Sequence, residues 1–425
     1  IAPNNNYITF IHRNFYKTLQ ELSQPEYRLA GTRINPNNFT NSRTNFYKNI
    51  SFSAMDSEAE VFIKNIPDDA NIYGISYSPS GNQLAFLLAE PESISLYVAD
   101  AKTGKTTKIN TPALNDVTSG LPYAWKKDES GFIIKTKGSL YKKEPQKPLA
   151  PESPIIQETD GKKSTVRTYQ DLLKNSYQEE LFEYFITCNL LEVDFSGNTN
   201  MLLENVALRS FSISPNGEYL LYETIEKPYS YLVPWYSFPT KTTVYHFNTK
   251  KSVIINEKPL TINIPQGFDA TYTGKRYINW RPDTEASLYW VEALDGGDPE
   301  KEVEFRDQLF VLKAPFTNSP TPIVSTKLRY AGVDWGDKNT AILYDRWRKN
   351  RTQNVYLINP NKYNKKLNII FALNTEDRYA DPGDFITEKN ELGTYTLRFS
   401  RDKKHVFLEG EGYGPEGNRP FIDQY

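Results

Sequence analysis

The stretch Ser78-Pro79-Ser80-Gly81 and the segment Gln83 to Leu88 after it combine a polar turn with an apolar strand. Proline fixes one backbone angle of such a turn, glycine suits its left-handed position, and the aliphatic run that follows favours a buried strand. The same order of turn and strand recurs at Ser214 to Glu223 and at Arg281 to Val291. This recurrence predicts a fold that is built from repeats.

A hairpin completes each repeat. The clearest example runs from Leu96 to Asp100, through Thr103-Gly104-Lys105, and on to Ile109. Further versions span Leu190 to Leu203, Thr243 to Ile255, Leu309 to Val324 and Val355 to Ile370. Four short antiparallel strands per repeat are typical of a β-propeller, in which blades pack together because one blade cannot bury both of its own faces.

We therefore predict an all-β fold: a β-propeller of four-stranded antiparallel blades, about seven with the last incomplete, and one helical insertion. The strand before each turn should be innermost, as at Tyr73 to Ser78, Leu208 to Ser214, Tyr277 to Trp280 and Gly332 to Trp335. The predicted blades span roughly residues 1–64, 72–110, 120–205, 208–257, 272–326, 329–373 and, in part, 384–425.

Residues 144–185 interrupt the third predicted blade. Glu144 to Pro154 is rich in proline and should be extended. Thr168 to Phe185 has apolar residues at helical spacing and a capping box at Ser176-Tyr177-Gln178-Glu179, so we predict a helix there, the longest of the chain. This insertion is either a loop packed on one blade or a segment that extends over the open face of the propeller and contacts a neighbouring domain.

Composition excludes several classes of partner. With 50 basic and 52 acidic residues the net charge is −2, which gives no electrostatic footprint for nucleic acid. We expect no membrane span, because no apolar run approaches the roughly 20 residues that cross a bilayer. A single cysteine, Cys188, excludes an internal disulfide.

The chain begins at Ile1 and stops at Tyr425, each time inside a repeat, so we expect a piece of a longer polypeptide.

The residues of a serine hydrolase active site are missing from the sequence. An α/β-hydrolase places its nucleophile in a G-x-S-x-G elbow, and no such pentapeptide occurs. The histidines, His12, His246 and His405, are predicted on strands of three different blades and lack metal-binding spacing. We therefore predict no catalytic residue, no metal site and no cofactor in this chain.

Two further motifs are predicted to be loops. Gly412 to Gly417 matches G-x-G-x-x-G, but Pro415 follows the second glycine, and a dinucleotide site requires the motif to open a helix. Glu292 to Asp307 is rich in acids, but its spacing differs from that of a calcium loop, and Lys301 and Arg306 lie among the carboxylates. We expect this stretch to be a solvated loop.

The segment Lys227 to Pro239 holds several aromatic residues between prolines. The prolines restrict the backbone of such a segment, and its aromatic rings bind readily to other apolar surfaces. Its aromatic residues either pack in the core or between blades, or form a rim that holds an extended peptide or the next domain. The domain-interface candidates are Tyr229, Tyr231, Trp235 and Tyr236.

Several motifs resemble a known family. They are Gln24 to Pro36, Arg167 to Asn175, Arg281-Pro282-Asp283, Trp290 to Pro299 and Pro415 to Phe421. Together they resemble the N-terminal propeller of the prolyl oligopeptidase family of serine peptidases, and within it the glutamyl endopeptidase subgroup. The resemblance covers nearly the whole chain.

The resemblance implies a substrate-gating propeller of a serine endopeptidase. The partners it implies are a peptide or protein substrate and the chain's own C-terminal α/β-hydrolase domain, which would carry the Ser-Asp-His triad beyond Tyr425. For a bacterial parent it implies a periplasmic or secreted location. The alternative is a stand-alone propeller that binds proteins or peptides. A downstream G-x-S-x-G would favour the first interpretation.

Cleavage after glutamate, which the resemblance implies, requires a cation that holds a carboxylate. Arginine does this best, because its planar fork binds both oxygens at once. Arg28, Arg33 and Arg378 lie in turn-like segments or in segments that break the repeat, and they are the candidate substrate-binding residues. The alternative is that they form structural salt bridges.

We expect that the chain alone hydrolyses no peptide, because acyl transfer requires an activated nucleophile and an oxyanion hole that are held together. Labelling with a fluorophosphonate checks this. The longer parent protein should be labelled at a serine outside these 425 residues. A labelled serine within this chain would contradict the prediction.

Overall fold

The structure is a computed structural model that describes residues 1–141, 143–149 and 168–425. In each repeat, one backbone hydrogen bond closes the turn. In each case an N–H at the start of the turn donates to a C=O four to six residues later, at 2.7 to 3.0 Å. The seven donor and acceptor pairs are Ala2 and Tyr7, Ser78 and Gln83, Lys126 and Gly131, Ser214 and Tyr219, Arg281 and Ser287, Gly336 and Thr340, and Ser400 and His405.

The chain forms two compact parts. The first part contains Ile1–Ile213, Leu220–His246 and Ile254–Ile262, and the second contains Ser214–Tyr219, Phe247–Val253 and Asn263–Tyr425. No helix among the described residues is long and apolar enough to cross a membrane.

The first part begins with two small sheets. Its elements are β1 (Tyr7–His12), α1 (Leu19–Leu22), β2 (Tyr27–Leu29), β3 (Thr32–Asn35), β4 (Thr40–Asn41), β5 (Asn49–Ala54) and β6 (Glu60–Phe62). Strands β1, β5 and β6 form one three-stranded sheet in that order, and β2, β3 and β4 form another.

A four-stranded antiparallel sheet follows, and it has the strand order of a propeller blade. Its strands are β7 (Ile72–Tyr77), β8 (Gln83–Ala89), β9 (Ile94–Asp100) and β10 (Thr106–Lys108), paired in sequence order. The strand before the turn, β7, lies at one edge.

A single long strand joins the next two sets of four strands. The elements are β11 (Tyr123–Trp125), β12 (Gly131–Lys137), α2 (Ser176–Ile186), β13 (Thr187–Asp194), β14 (Thr199–Ile213), β15 (Tyr219–Ile225), β16 (Thr240–His246) and β17 (Ser252–Lys258). The first half of β14 pairs with β13 and its second half, from Leu208, pairs with β15, so the seven strands form one sheet.

The second part contains two more four-stranded antiparallel sheets. One consists of β18 (Arg276–Trp280), β19 (Ser287–Ala293), β20 (Asp307–Lys313) and β21 (Thr321–Thr326), and the other of β22 (Arg329–Trp335), β23 (Ala341–Trp347), β24 (Thr352–Ile358) and β25 (Asn368–Asn374). The last strands are β26 (Asp384–Phe385), β27 (Thr387–Lys389), β28 (Tyr395–Leu397), β29 (Phe407–Gly410) and β30 (Phe421–Gln424), of which β26, β29 and β30 share a sheet.

Central strands are buried on both faces. In β8, Leu84, Phe86 and Leu88 pack against the β1–β5–β6 sheet, whereas Ala85 and Leu87 pack against the β11–β14 strands. All five are at most 2% exposed. In the second part, β23 divides its side chains between two neighbouring sheets in the same way. Because side chains alternate along a strand, such a strand consists of a continuous apolar run.

The predicted fold class is confirmed: the chain is all-β with a propeller-like fold. The strands predicted to be innermost lie at a sheet edge in β7, β18 and β22, and in the second half of β14. That these edges are the inner ones stays a prediction, as do the proposed blade boundaries.

The helical insertion is present, but the predicted helix bounds are wrong. Helix α2 begins at Ser176, not at Thr168, and it is the longest helix among the described residues. Its N-cap is Asn175, whose side-chain oxygen accepts a hydrogen bond from the Gln178 N–H at 2.9 Å, so Ser176 does not cap it. Residues 150–167 of the insertion, including the end of the proline-rich stretch, lie outside the described residues.

Replacing Phe86 with alanine should lower the free energy of unfolding by about 3 to 5 kcal/mol, because the ring is fully buried between two sheets. Urea unfolding measures this. Ile254→Ala, at a side chain that is 58% exposed in the first part, is the matched control and should change stability by less than about 0.5 kcal/mol. Equal effects of the two substitutions would contradict burial of the β8 face that packs against the β1–β5–β6 sheet.

Candidate functional site

Three stretches that the sequence singled out separately meet in the first part. The Gly31 N–H, between β2 and β3, donates to the main-chain oxygen of Asp171 at 2.8 Å. The Trp235 N–H donates to the main-chain oxygen of Ala30, also at 2.8 Å. A Cβ at Gly31 would lie 2.5 Å from the Cβ of Pro234, and the φ of Gly31 is +82°, so only glycine allows this approach.

A cavity of about 350 Å³ opens where these stretches meet, and we call it the hairpin pocket. It contains the candidate Arg33 together with the candidate Tyr236. Its lining residues are Gly31, Thr32, Arg33, Asn41, Arg43, Tyr169, Gln170, Asp171, Pro234 and Tyr236.

Glu26 lies among three arginines beside the hairpin pocket. Its carboxylate oxygens are 2.9 Å from Arg28 Nε, 3.6 Å from Arg33 Nη1 and 3.0 Å from Arg43 Nε. The Ser42 hydroxyl also donates to it, at 2.6 Å. Burial opposes ionisation of Glu26, but these hydrogen bonds and charges outweigh it and hold the pKa of the carboxyl below its usual value.

Arg33 has a second carboxylate partner. Its Nε lies 2.9 Å from Oδ2 of Asp171, a residue 138 positions later in the chain. The salt bridges that were the alternative interpretation of Arg28 and Arg33 are therefore present. Among the residues that the structure describes, however, three guanidinium groups face two carboxylates, so one positive charge remains in excess around the pocket.

Arg43 is the residue that the sequence reasoning missed. It lines the hairpin pocket and is 55% exposed at its side chain, whereas Arg28 pairs with Glu26 outside the lining. Arg28 and Arg33 are direct cross-strand partners of β2 and β3. Two positive charges in directly opposite positions repel each other and destabilise the hairpin. Such a pair therefore indicates that a carboxylate lies nearby and compensates the repulsion, and this carboxylate is Glu26.

The aromatic candidates divide into two sets. Tyr229 stacks on Phe238 with ring centres 5.3 Å apart, and Trp235 packs against the same apolar cluster, so these two stabilise the core. Tyr231 and Tyr236 are 37% and 49% exposed. An interface role for any of the four stays a prediction, and exposure favours Tyr231 and Tyr236.

Arg378 lies in the second part. Its guanidinium is 5.5 Å from the centre of the Tyr413 ring, in a cavity of about 380 Å³ that also has Glu376 and Asp377 in its lining. Glu376 also pairs with Arg351 at 2.9 Å, so two acids and two arginines leave this cavity without excess positive charge. A carboxylate ligand therefore fits the hairpin pocket better than the Arg378 cavity.

The acidic stretch before β20 is a loop, and its residues Glu300, Glu302 and Glu304 are exposed as predicted, but its two ends are not solvated. Asp295 and Asp307 are at most 1% exposed. Asp295 pairs with Arg306 at 3.0 Å and with Arg329 at 2.7 Å, and Asp307 pairs with Arg329 at 2.8 Å and with Arg276. Burial opposes ionisation of Asp295, but the hydrogen bonds from the two arginines outweigh it and lower its pKa.

No group of His, Cys, Asp and Glu residues in the described ranges is arranged to hold a metal ion. His12 and His246 end strands β1 and β16, as expected, whereas His405 comes two residues before β29.

No protein-family model matches the chain. Curated relatives match all of it: a probable chloroplastic glutamyl endopeptidase of Oryza sativa subsp. japonica is 32% identical over 446 residues, and one of Arabidopsis thaliana is 31% identical over 445 residues. The chain spans 47% and 46% of their respective lengths, about half of each relative.

Solved structures resemble the chain at low similarity. Prolyl oligopeptidase B from Galerina marginata has a TM-score of 0.45 at 11% identity, with 100% of this chain and 49% of that chain covered. An oligogalacturonate lyase in complex with manganese has a TM-score of 0.44 at 12% identity, covering 88% of this chain and 82% of that one. Both TM-scores lie below 0.5.

The match to the curated relatives along the entire chain confirms the resemblance that the motifs indicated: the chain is similar over its whole length to about half of each probable glutamyl endopeptidase, and it is a propeller domain of a peptidase-family protein.

Proposed function

We propose that the chain is the substrate-gating propeller domain of a serine endopeptidase and that its hairpin pocket binds a carboxylate of the peptide substrate. The observation that carries the proposal is the excess positive charge of the pocket lining, in which Arg33 and Arg43 accompany a single carboxylate, that of Asp171. Relatives described as probable glutamyl endopeptidases support a ligand with an acidic side chain.

The arrangement suits a carboxylate ligand for geometric reasons. Asp171 and Glu26 hold the Arg33 side chain from two sides, which fixes its planar fork before a ligand arrives. An arginine fixed in this way loses less entropy for each hydrogen bond that it forms with a carboxylate. Arg43 is half exposed and can turn from Glu26 towards the ligand. The aromatic side chain of Tyr236 provides one wall of the pocket.

The size and charge of the hairpin pocket would restrict which substrates can bind. A pocket of about 350 Å³ accepts a side chain and its adjacent main chain but not a folded protein. The peptide bond would be cleaved by a Ser-Asp-His domain of the parent protein, because acyl transfer requires a nucleophile and an oxyanion hole in one place. In this proposal the chain selects and orients the peptide, and its exposed Tyr231 and Tyr236 are candidates for contact with that catalytic domain.

Substitution of the pocket arginines in the full-length parent tests the proposal. Arg33→Ala and Arg43→Ala should each lower the preference for glutamate over glutamine at the cleavage site, measured as a ratio of kcat/KM values, by about 10- to 100-fold, or about 1.4 to 2.8 kcal/mol. Arg33→Lys should retain part of the preference, because it keeps the charge but loses the fork. Arg28→Ala should have a smaller effect.

Two controls accompany these variants. Arg419→Ala removes an exposed arginine that pairs with Glu416 in the second part, and it should leave the preference unchanged. Arg378→Ala tests the remaining sequence candidate. Thermal unfolding of every variant separates loss of binding from loss of fold. If all the arginine variants keep the preference, selection lies outside this chain and the proposal is wrong.

A further inference from the structure

A second and larger cavity adjoins the hairpin pocket. Its volume is about 550 Å³, and it shares Asn41 with the hairpin pocket. Eight of its 22 lining residues are asparagine or glutamine. We call it the amide cavity. All of its lining residues belong to the first part of the chain.

Several of these amides have no other hydrogen-bond partner. The side chains of Asn14, Gln20 and Asn37 are exposed and make no hydrogen bond to any described residue. Asn41 and Asn71 use only their carbonyl oxygens, towards the Arg43 N–H at 2.9 Å and the Lys48 ammonium at 2.7 Å. Their NH₂ groups remain available. The cavity therefore offers both donors and acceptors.

Two buried amides form the frame behind these free groups. Asn38 donates to the main-chain oxygen of Glu90 at 2.9 Å, and its own oxygen accepts from the N–H and the hydroxyl of Thr40. Asn35 donates to the Gln24 side chain at 3.2 Å and accepts from the Asn37 N–H. Because these bonds hold the β3–β4 turn in place, Asn37 and Asn41 are presented from a fixed backbone.

A ligand with alternating N–H and C=O groups matches this lining. The main chain of an extended peptide is such a ligand, with one donor and one acceptor per residue. These groups require partners once water is displaced, and free side-chain amides can provide both kinds of partner. We propose that the amide cavity binds the main chain of an extended peptide whose acidic residue lies in the hairpin pocket. This proposal rests on the function proposed above.

The charges of the two cavities give this peptide a direction. Lys48 pairs with Glu21 at 2.8 Å inside the amide cavity, and Glu90 pairs with Lys108 at 3.6 Å. Asp68 and Asp69 line the same cavity, are exposed, and have no ion-pair partner in the described ranges. The amide cavity is therefore negative where the hairpin pocket is positive. A basic residue some distance along the peptide from the acidic one should strengthen binding.

Peptide binding to the chain, measured by calorimetry, tests the proposal. The probes are a blocked single glutamate, a hexapeptide that contains glutamate, and the same hexapeptide with N-methylated peptide groups outside the glutamate. The double variant Gln20→Ala with Asn37→Ala removes two free amides that support no other described residue. It should weaken binding of the hexapeptide about 10-fold and leave binding of the blocked glutamate unchanged, because it does not touch the hairpin pocket.

N-methylation provides the second arm of the test. It removes N–H donors without changing any side chain, so it should weaken binding to the unsubstituted chain. In the double variant the same modification should have a smaller effect, because the partner groups are already gone, and a double-mutant cycle measures the difference. Asn6→Ala, at an exposed asparagine outside both cavities, is the matched control and should change nothing.

The outcomes separate this proposal from the proposed function. If the double variant and N-methylation leave hexapeptide affinity unchanged while the arginine variants abolish the glutamate preference, the amide cavity proposal is wrong and the proposed function stands. If a neutral oligosaccharide displaces the hexapeptide from the unsubstituted chain but not from the double variant, the ligand class is wrong. If neither the blocked glutamate nor the hexapeptide binds, the amide cavity proposal is overturned, and if the arginine variants also keep the glutamate preference, the proposed function is overturned with it.

Discussion

Burial of both faces of each central strand is the constraint on which the rest of the structure depends. Leu84, Phe86 and Leu88 of β8 face one sheet, and Ala85 and Leu87 face the next. No sheet of this kind is stable alone, because half of its apolar side chains would remain in water. Each blade therefore requires neighbours, and this requirement produces a repeat fold. The loops and added hairpins are then free to carry the site.

The hairpin pocket lies on an addition to this scaffold. The β2–β4 sheet, helix α2 and the segment around Trp235 share one apolar cluster, and the cluster is separate from the cores between blades. Two main-chain hydrogen bonds and the absence of a side chain at Gly31 bring the three stretches together. The charged groups are thereby positioned by rigid elements on every side, as a site for a small ligand group requires.

The sequence allowed the fold to be predicted because its signals are local. A turn, the strand behind it and a hairpin lie within some tens of residues, and period-two burial leaves continuous apolar runs such as Leu84 to Ala89. The predicted start of α2 was wrong because Asn175 caps the helix, whereas Asp171, the other good cap nearby, lies in the left-handed region at φ +57° and pairs with Arg33. Family motifs identified Arg33 as a candidate, but its partner Asp171 is 138 residues away, and no local pattern connects them.

Ion-pair partners that are distant in sequence also explain why Asp295 in the acidic stretch is buried, although a solvated loop was predicted there. Spacing alone suggested a solvated loop, yet Asp295 is buried because Arg329, 34 residues later, provides two hydrogen bonds to its carboxylate. The sequence shows which charged residues are present, whereas the fold determines which of them form ion pairs. A buried carboxylate without such a partner would be protonated or would destabilise the fold.

The two arginine clusters differ in a way that indicates different roles. In the second part, Arg276, Arg306 and Arg329 are at most 15% exposed at their side chains, and apart from Nε of Arg276 their buried nitrogens have hydrogen-bond partners. Removal of one member would leave a buried charge unpaired at a cost of about 3 to 5 kcal/mol, so this cluster stabilises the fold. Around Glu26 the ratio of three arginines to two carboxylates is the same, but Arg28 and Arg43 are more than half exposed. Exposed ion pairs contribute little to stability, about 0 to 1 kcal/mol. A cluster that adds little to the fold and presents exposed arginines beside a cavity is suited to binding, and this contrast in exposure is the physical reason to assign the ligand to the hairpin pocket.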